Sequence, residues 1–521
     1  VLDFPKDDPN FDPDNLKYSC IRYVPAAISN AMGPSWTDPR TGEIINASVI
    51  IFNDVAKLVN QWRFLQTSQV DESVRGKKLP DNVLAESLEY IIAHEIGHTL
   101  GLMHNMAASA AYPVDSLRSA TFTRKYGTTP SIMDYARFNY VAQPGDKGVK
   151  LTPPDLGVYD EYVIKWLYTP LPGLSPKEEA AVLESWIDEK AGDPLYRYGK
   201  QQVIERYDPS AIEEDLGNDP IKAGEYGIRN LKYILLHLNE WIQDDADGAY
   251  KEQMYNELGN QYYRYLRNVM YNVGGIYLTD VKEGTPGDRY RSVPKEVQKA
   301  SLQWALKQFR DCDWLYNKPL SKKLTLRISE ADVVRSVLAQ SLLSSYQRVI
   351  LSAHVSDDPY TLKAYFDDLY NGIWENTIRG KALTNGDKLL QTNAIVMIND
   401  VVGNSMKKKG KFFLTSLDEL KNYGLDESGM VRKFYKTLKS MEREHGDSFV
   451  AEQLRLHGIG YGYNWQDEVD VEAIDNSKQY LFTMANKVKT LLESKIPTST
   501  GETREHYRML LFSLNRALEG K

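Results

Sequence analysis

The chain has 521 residues, too many for one hydrophobic core, and its length implies two to four domains. Hydrophobic residues make up 42% and charged residues 26%, the composition of a folded globular protein, and a formal net charge of -8 excludes a general attraction to nucleic acid or anionic membrane. The two cysteines, Cys20 and Cys312, exclude a disulfide framework and leave either two free thiols or one bridge, and no apolar run reaches the roughly eighteen residues needed to span a bilayer.

The opening segment, rich in Pro and Asp up to Asn15, predicts a loop. Residues 18–24 alternate in the manner of a strand. Residues 30–37 and 43–52 flank Asp38-Pro39-Arg40-Thr41-Gly42, a turn-forming sequence, so the two arms predict a hairpin. Pro34 in the first arm has no N–H to give to a sheet, which puts this arm at the rim.

Leu84, Leu88, Ile91, Ile92 and Ile96 then recur at steps of three and four, predicting an amphipathic helix that begins near Pro80 and Asp81. His94 and His98 share one face of that helix, a turn apart, and Glu95 sits one position further round. Gly101 lets the chain leave the helix through a backbone conformation that side chains disfavour, so that His104 can return as a third ligand. Three imidazoles with one coordination position left open are the ligand set of a catalytic rather than a structural zinc, and Zn2+ is the expected cofactor.

From His104 to Met133 the sequence is a mixed loop containing Pro113 and Gly127. A helix is expected to start near Asp155, with Tyr159, Tyr162, Val163, Trp166 and Leu167 on its apolar side. Residues 169–176 form the best linker candidate, with Ser175 and Pro176 opening another helix. The expected organisation is a domain over 1–170 and a mainly α-helical C-terminal region over 171–521, of one or two subdomains. Helical periodicity there is clear at Ile228, Leu231, Leu235, Leu238 and Ile242, and again over 255–271, 333–350 and 389–402.

Other signals in this half are weaker. Gly458-Ile459-Gly460-Tyr461-Gly462 lacks the last glycine and the preceding strand of a dinucleotide site. Asp245-Ala246-Asp247-Gly248 resembles a calcium loop, but Gln243 and Met254 occupy the outer ligand positions, so a plain loop is expected. Lys407-Lys408-Lys409 reads as a solvated helix end. The acidic group Asp208, Glu213, Glu214, Asp215 and Asp219 is explained by helix capping and solubility, with a calcium site as the alternative. His237, His354, His445, His457 and His506 lack ligand spacing and are expected to be structural or surface residues.

HEIGHTLGLMH, residues 94–104, fits HExxHxxGxxH at every fixed position and so resembles the metzincin clan of zinc metalloproteases. Ser131-Ile132-Met133-Asp134-Tyr135 resembles the clan's Met-turn, which implies that Met133 forms a hydrophobic floor beneath the histidines. In some metzincins a tyrosine two places after that methionine approaches the metal, and Tyr135 holds this place. A closer likeness is to large secreted or envelope-associated bacterial proteases called Met-zincins. It is carried by Gly33-Pro34-Ser35, residues 38–44, 131–144 and 208–219, and spans roughly 15 to 240. The resemblance implies an α+β fold, a metzincin-like catalytic domain followed by the helical region. It also implies that the strand, helix and strand normally preceding residue 18 lie in a segment missing from this chain.

Further implications concern the site. Metzincins bind peptides as an added antiparallel strand along the sheet edge, so Met32, Gly33, Pro34 and Ser35 are candidate substrate-binding residues; a proline-blunted edge is the alternative. Residues 135–144 would line the pocket for the side chain after the scissile bond. The expected activity is endopeptidase cleavage of a peptide or protein, with Glu95 as general base and the Tyr135 hydroxyl assisting the developing oxyanion. The expected location is secreted, periplasmic or cell-envelope-associated. The competing reading is a silent binding or scaffold protein that recognises its partner through the helical region.

Overall fold

The computed structural model describes residues 10–202, 206–325, 329–403 and 476–518. By compactness the chain falls into two units: one of Val1–Gln201, Glu213–Asp219 and Arg229–Met254, and a second of Gln202–Ile212, Pro220–Ile228 and Tyr255–Lys521. This division differs from the expected boundary at 170/171, because segments beyond the linker hydrogen-bond back to the first unit. Asn105 Nδ2 donates to Arg197 O and Met106 N to Gly199 O, at 2.9 and 2.8 Å, and Asn230 Nδ2 donates to both Tyr140 O and Ala142 O.

The first unit is α+β, as expected. Strand β1 (Cys20–Val24) pairs in parallel with the long strand β4 (Ile44–Phe52), Cys20 opposite Ser48 and Val24 opposite Phe52. On the other side of β4 run β2 (Ala31–Met32) and β3 (Ser35–Thr37), both antiparallel to it. The expected hairpin therefore forms, and Pro34 splits its first arm into two short strands at the rim of the sheet, where a missing N–H breaks no ladder.

Helix α1 (Val55–Thr67) follows directly and was not anticipated from the sequence. Its Val55, Val59 and Trp62 recur at four and three residues and pack with Val83, Tyr90 and Ile91 of α2 (Asp81–Thr99), the helix expected from Asp81. Leu102, Ile132, Met133 and Phe138 complete this core, so the Met-turn sequence sits inside the same cluster as the motif helix.

Beyond His104 the loop includes one short helix, α3 (Ala120–Tyr126), capped by Ser119 and ended by Gly127 at φ 69°. Helix α4 (Val158–Tyr168) begins three residues later than the sequence suggested, with Asp160 rather than Asp155 holding its first turn: Asp160 Oδ2 accepts from Gly157 N at 2.8 Å. The linker residues 170–175 are mostly exposed, and α5 (Pro176–Asp188) opens with the expected Ser175, whose hydroxyl and N–H both donate to Glu178.

Helices α6 (Pro220–Trp241) and α7 (Ala249–Met270) contribute residues to both units. The second unit is mainly helical, with a small antiparallel pair, β5 (Ile276–Leu278) and β6 (Tyr290–Ser292), that helical periodicity did not signal. Helix α8 (Lys295–Asp311) packs against three later helices, α10 (Glu330–Ser344), α12 (Leu362–Ile373) and α14 (Asn385–Ile398); α9 (Lys318–Ser321), α11 (Tyr346–His354) and α13 (Glu375–Ile378) are short connecting pieces. The last two described helices, α15 (Ser477–Lys495) and α16 (Gly501–Leu518), pack on each other and on α14. Among the described residues no helix is long and apolar enough to cross a membrane.

Cys20 and Cys312 are both free thiols. Asp245 is a loop residue that accepts from Tyr250 N and Lys251 N and pairs with Lys77, in keeping with the loop reading. The motifs at 407–409 and 458–462, with His445 and His457, lie outside the described residues.

Candidate metal centre

The three histidines converge as their spacing implied. Their ligand atoms lie within 4.8 Å of one another, the only such group of metal-ligating side chains among the described residues. His94 and His98 come from the last turns of α2, and the helix ends at Thr99 with Leu102 N turned back onto Gly97 O. Gly101 at φ 86° makes that reversal, in a conformation that strains any residue with a Cβ, and delivers His104.

Each ring is oriented by what its far nitrogen bonds. His94 Nδ1 donates to Ile132 O at 2.6 Å and His98 Nδ1 to Leu102 O at 2.9 Å. A carbonyl can only accept, so both rings carry their proton on Nδ1 and present a bare Nε2. His104 bonds the side chain of Gln201, which in turn donates to Glu213 Oε1 at 3.2 Å.

The donor set fits a divalent metal on two observations. His94 Nε2 is buried without a hydrogen-bond partner, and His98 Nε2 faces His104 Nε2 at 3.1 Å. A bare, dry Nε2 such as that of His94 is unfavourable unless a cation satisfies it, and the other two Nε2 atoms are close enough to share that cation. Burial and mutual repulsion push the His94 pKa well below its ordinary value and that of His104 down to about 3, so the imidazoles are neutral, as metal ligands must be.

Glu95 is buried on the same helix at 8% exposure, and its pKa is raised to about 7 by burial, against the opposing positive charge of Arg137. Gly33 of the edge segment lies directly on this helix. A Cβ there would collide with the Glu95 carbonyl and stand 3.0 Å from His98 Cβ, so only glycine lets the rim of the sheet approach the motif so closely. Of its neighbours, Met32 and Ser35 are exposed and Pro34 is half-buried.

Met133 is fully buried, with its sulfur where a Cβ on Gly97, between the first two histidines, would have to be. Tyr135 stands beside the cluster, its ring centroid 4.6 Å from that of His104 and 5.4 Å from that of His94. The turn is clamped from α4: Asp160 accepts from Ser131 Oγ at 2.7 Å and from Ile132 N at 2.9 Å, while Tyr90 OH donates to Asp134 O at 3.0 Å. Asp160 thus fixes Ile132, the residue whose carbonyl orients His94.

Two expectations are corrected. Residues 136–143 are buried rather than lining an open pocket; in the stretch 135–144 only Tyr135 and Pro144 retain exposure, because the intervening side chains fill the core around α1 and α2. Within the acidic group solubility does not explain the middle residues, and among the described residues the group does not form a metal-holding cluster. Glu213, Glu214 and Asp215 are buried, and Asp215 Oδ1 and Asp134 Oδ2 both accept from Ser109, through its hydroxyl and its N–H. Asp208, also buried, caps a turn at Ser210, in keeping with the capping reading, and Asp219 is exposed. His237 and His506 bond Glu240 and Gln391, as structural or surface histidines do.

Asp160 and Gln201 escaped the sequence reading, and Arg137 and Glu214 were read only as part of a pocket-lining stretch and an acidic group. They adjoin the centre through space, and no spacing relative to residues 94–104 marks them. Comparison with protein families gives a match over residues 76–381, more than half of the chain, to the family described as Met-zincin. The match begins inside the first unit and extends into the helical region. Comparison with curated proteins and with solved structures gives no match.

Proposed function

The chain belongs to the Met-zincin family, and from that premise we propose that it is a zinc-dependent endopeptidase in which Glu95 acts as general base and His94, His98 and His104 hold the metal. The family implies zinc. The observation that carries the reading is the convergence of three neutral imidazoles, two of them oriented by backbone carbonyls, with one acid on the same helix. Bound zinc would supply Lewis acidity, activating a water molecule and polarising the scissile carbonyl.

The remaining steps belong to side chains of this chain. Glu95, in a dry environment that favours its protonated form, takes the proton of the attacking water and passes it to the departing amine. The Tyr135 hydroxyl donates to the oxygen on which negative charge develops. Met32, Gly33, Pro34 and Ser35 offer backbone at the sheet rim for an extended peptide to pair with, and the closeness of Gly33 to Glu95 and His98 would bring that peptide over the centre. Residues 1–170 carry every one of these groups. A secreted, periplasmic or envelope-associated location accords with this activity.

The test is cleavage of an unfolded protein such as casein by the zinc-loaded chain, with and without chelator. Cleavage is expected to stop on chelation and return with zinc. Glu95→Gln should bind zinc and fold normally, yet lose ~10² to 10⁴-fold in kcat. Equal turnover by wild type and Glu95→Gln would refute the assignment. A wild type that binds zinc but cleaves nothing would favour the binding or scaffold reading.

A further inference from the structure

Tyr135 is gripped by two residues to which the reading above gives no role. The guanidinium carbon of Arg137 lies 4.2 Å from the centroid of the Tyr135 ring and 4.0 Å from that of Trp62, so one cation serves two aromatic rings. Arg137 Nε is 3.6 Å from Glu214 Oε1, and the two side chains are only 9% and 4% exposed. Glu214 also reaches Tyr135 through the backbone: its N–H donates to Tyr135 O at 3.0 Å.

The backbone of both partners is unusual. Among the described residues, Arg137 (φ 54°) and Glu214 (φ 61°) are the only ones other than glycine with positive φ. Residues with a side chain avoid this region, and they persist there only where the surroundings over-determine them. A buried ion pair is in itself a poor way to stabilise a fold, since desolvation offsets most of its attraction. Two strained residues that meet in such a pair, and together hold the ring and the carbonyl of one tyrosine, are better explained by what they do to that tyrosine.

We propose that Arg137, anchored by Glu214, is a positioning residue that sets the Tyr135 phenol against the histidine cluster. This rests on the role given to Tyr135 above. A planar guanidinium stacked on the ring limits both its tilt and its rotation, which a flexible ammonium would not do. The Glu214 N–H fixes the peptide from which the ring projects. Arg137 touches no reacting atom: it acts on the phenol through the Tyr135 ring, while its charge separately opposes the rise in the Glu95 pKa.

The test has two readouts. In the first, 3-fluorotyrosine is placed at position 135 alone in the full chain, and its 19F resonance is followed without metal and with zinc. Arg137→Met should move the resonance toward that of free fluorotyrosine and narrow it, Glu214→Gln should move it the same way, and Arg137→Lys should fall between. In the second, peptide cleavage by the zinc-loaded protein, Arg137→Met should lower kcat about tenfold with KM nearly unchanged. In a Tyr135→Phe background the same substitution, with kcat taken on the alkaline plateau where Glu95 is ionised in every variant, should have no further effect. A resonance unmoved by Arg137→Met overturns the proposal, as does an equal kcat loss in both backgrounds. If Arg137→Met does not fold, Arg137→Lys carries both readouts with the same criteria. If the wild type cleaves nothing, the peptidase reading fails by itself and the 19F arm still decides whether Arg137 positions the ring.

Discussion

Asp160 is where the structure makes its most quantitative demand. Its carboxylate is 2% exposed and accepts from Ser131 Oγ, Ile132 N and Gly157 N, joining the first turn of α4 to the residue whose carbonyl orients His94. In Asp160→Ala the Ser131 hydroxyl can rotate to another acceptor, but the two backbone N–H groups cannot. Each buried donor left unpaired costs about 1–3 kcal/mol, so the alanine variant should lose roughly 2–6 kcal/mol. Asp160→Asn can keep one oxygen on the two N–H groups and turn its NH2 to the serine hydroxyl, losing charge assistance alone, about 1 kcal/mol. Urea unfolding of the metal-free protein would read both values. Because Ile132 O holds His94 Nδ1, zinc affinity measured against a chromophoric chelator should also fall about 10- to 100-fold in the alanine variant. Equal stability of the two variants would refute the hydrogen-bond accounting. A destabilised alanine variant with unchanged zinc affinity would refute the coupling from α4 to the metal centre.

Tyr135→Phe should retain zinc and lower kcat by less than Glu95→Gln, since the hydroxyl assists charge that the metal already stabilises; a loss as large as that of Glu95→Gln, measured on the same peptide, would give it a larger role. Gly33→Ala forces the rim off the motif helix, because the obstructing atoms are the backbone of Glu95; about 1–3 kcal/mol of destabilisation is expected, readable as a lowered Tm, and an unchanged Tm would mean that the rim does not need this close approach. In the second unit, burial, and after it the charge of Lys388, depress the His506 pKa to about 4. A depressed histidine contributes stability that is fully present above its unfolded pKa near ~6.5 and is lost as pH falls through its folded value. Denaturant unfolding between pH 7 and 4 should therefore show a shallower loss in His506→Gln than in wild type, and identical slopes would rule the contribution out.

How far the sequence reaches differs along the chain. The ligand set was legible because it is local: His94 and His98 are one helical turn apart, and Gly101 and His104 follow at offsets fixed by the way a helix ends. The hairpin at 30–52 was legible because turn residues and Pro34 constrain backbone geometry wherever they occur. The helical content of the C-terminal half followed from apolar spacing, although that spacing could not show β5 and β6, whose three-residue strands are too short for alternation to register. Helix α1 went unread because its buried side chains include Arg63, Gln66 and Thr67, which blur the apolar spacing.

Only tertiary structure decided what surrounds the ligands. Asp160 looks like an ordinary acid in a helix start, Arg137 like part of a pocket lining, and Glu213–Asp215 like a solvated acidic run, yet all are buried. Burial and hydrogen bonding depend on which parts of the chain meet, and residues 105 to 143 approach segments near 200, 215 and 230 for reasons that no local pattern carries. The sequence by itself determined which atoms can hold the metal, since that depends on backbone geometry within about ten residues. The fold decided how those atoms are aimed and which charges face them, because orientation and desolvation are properties of groups brought together from distant parts of the chain.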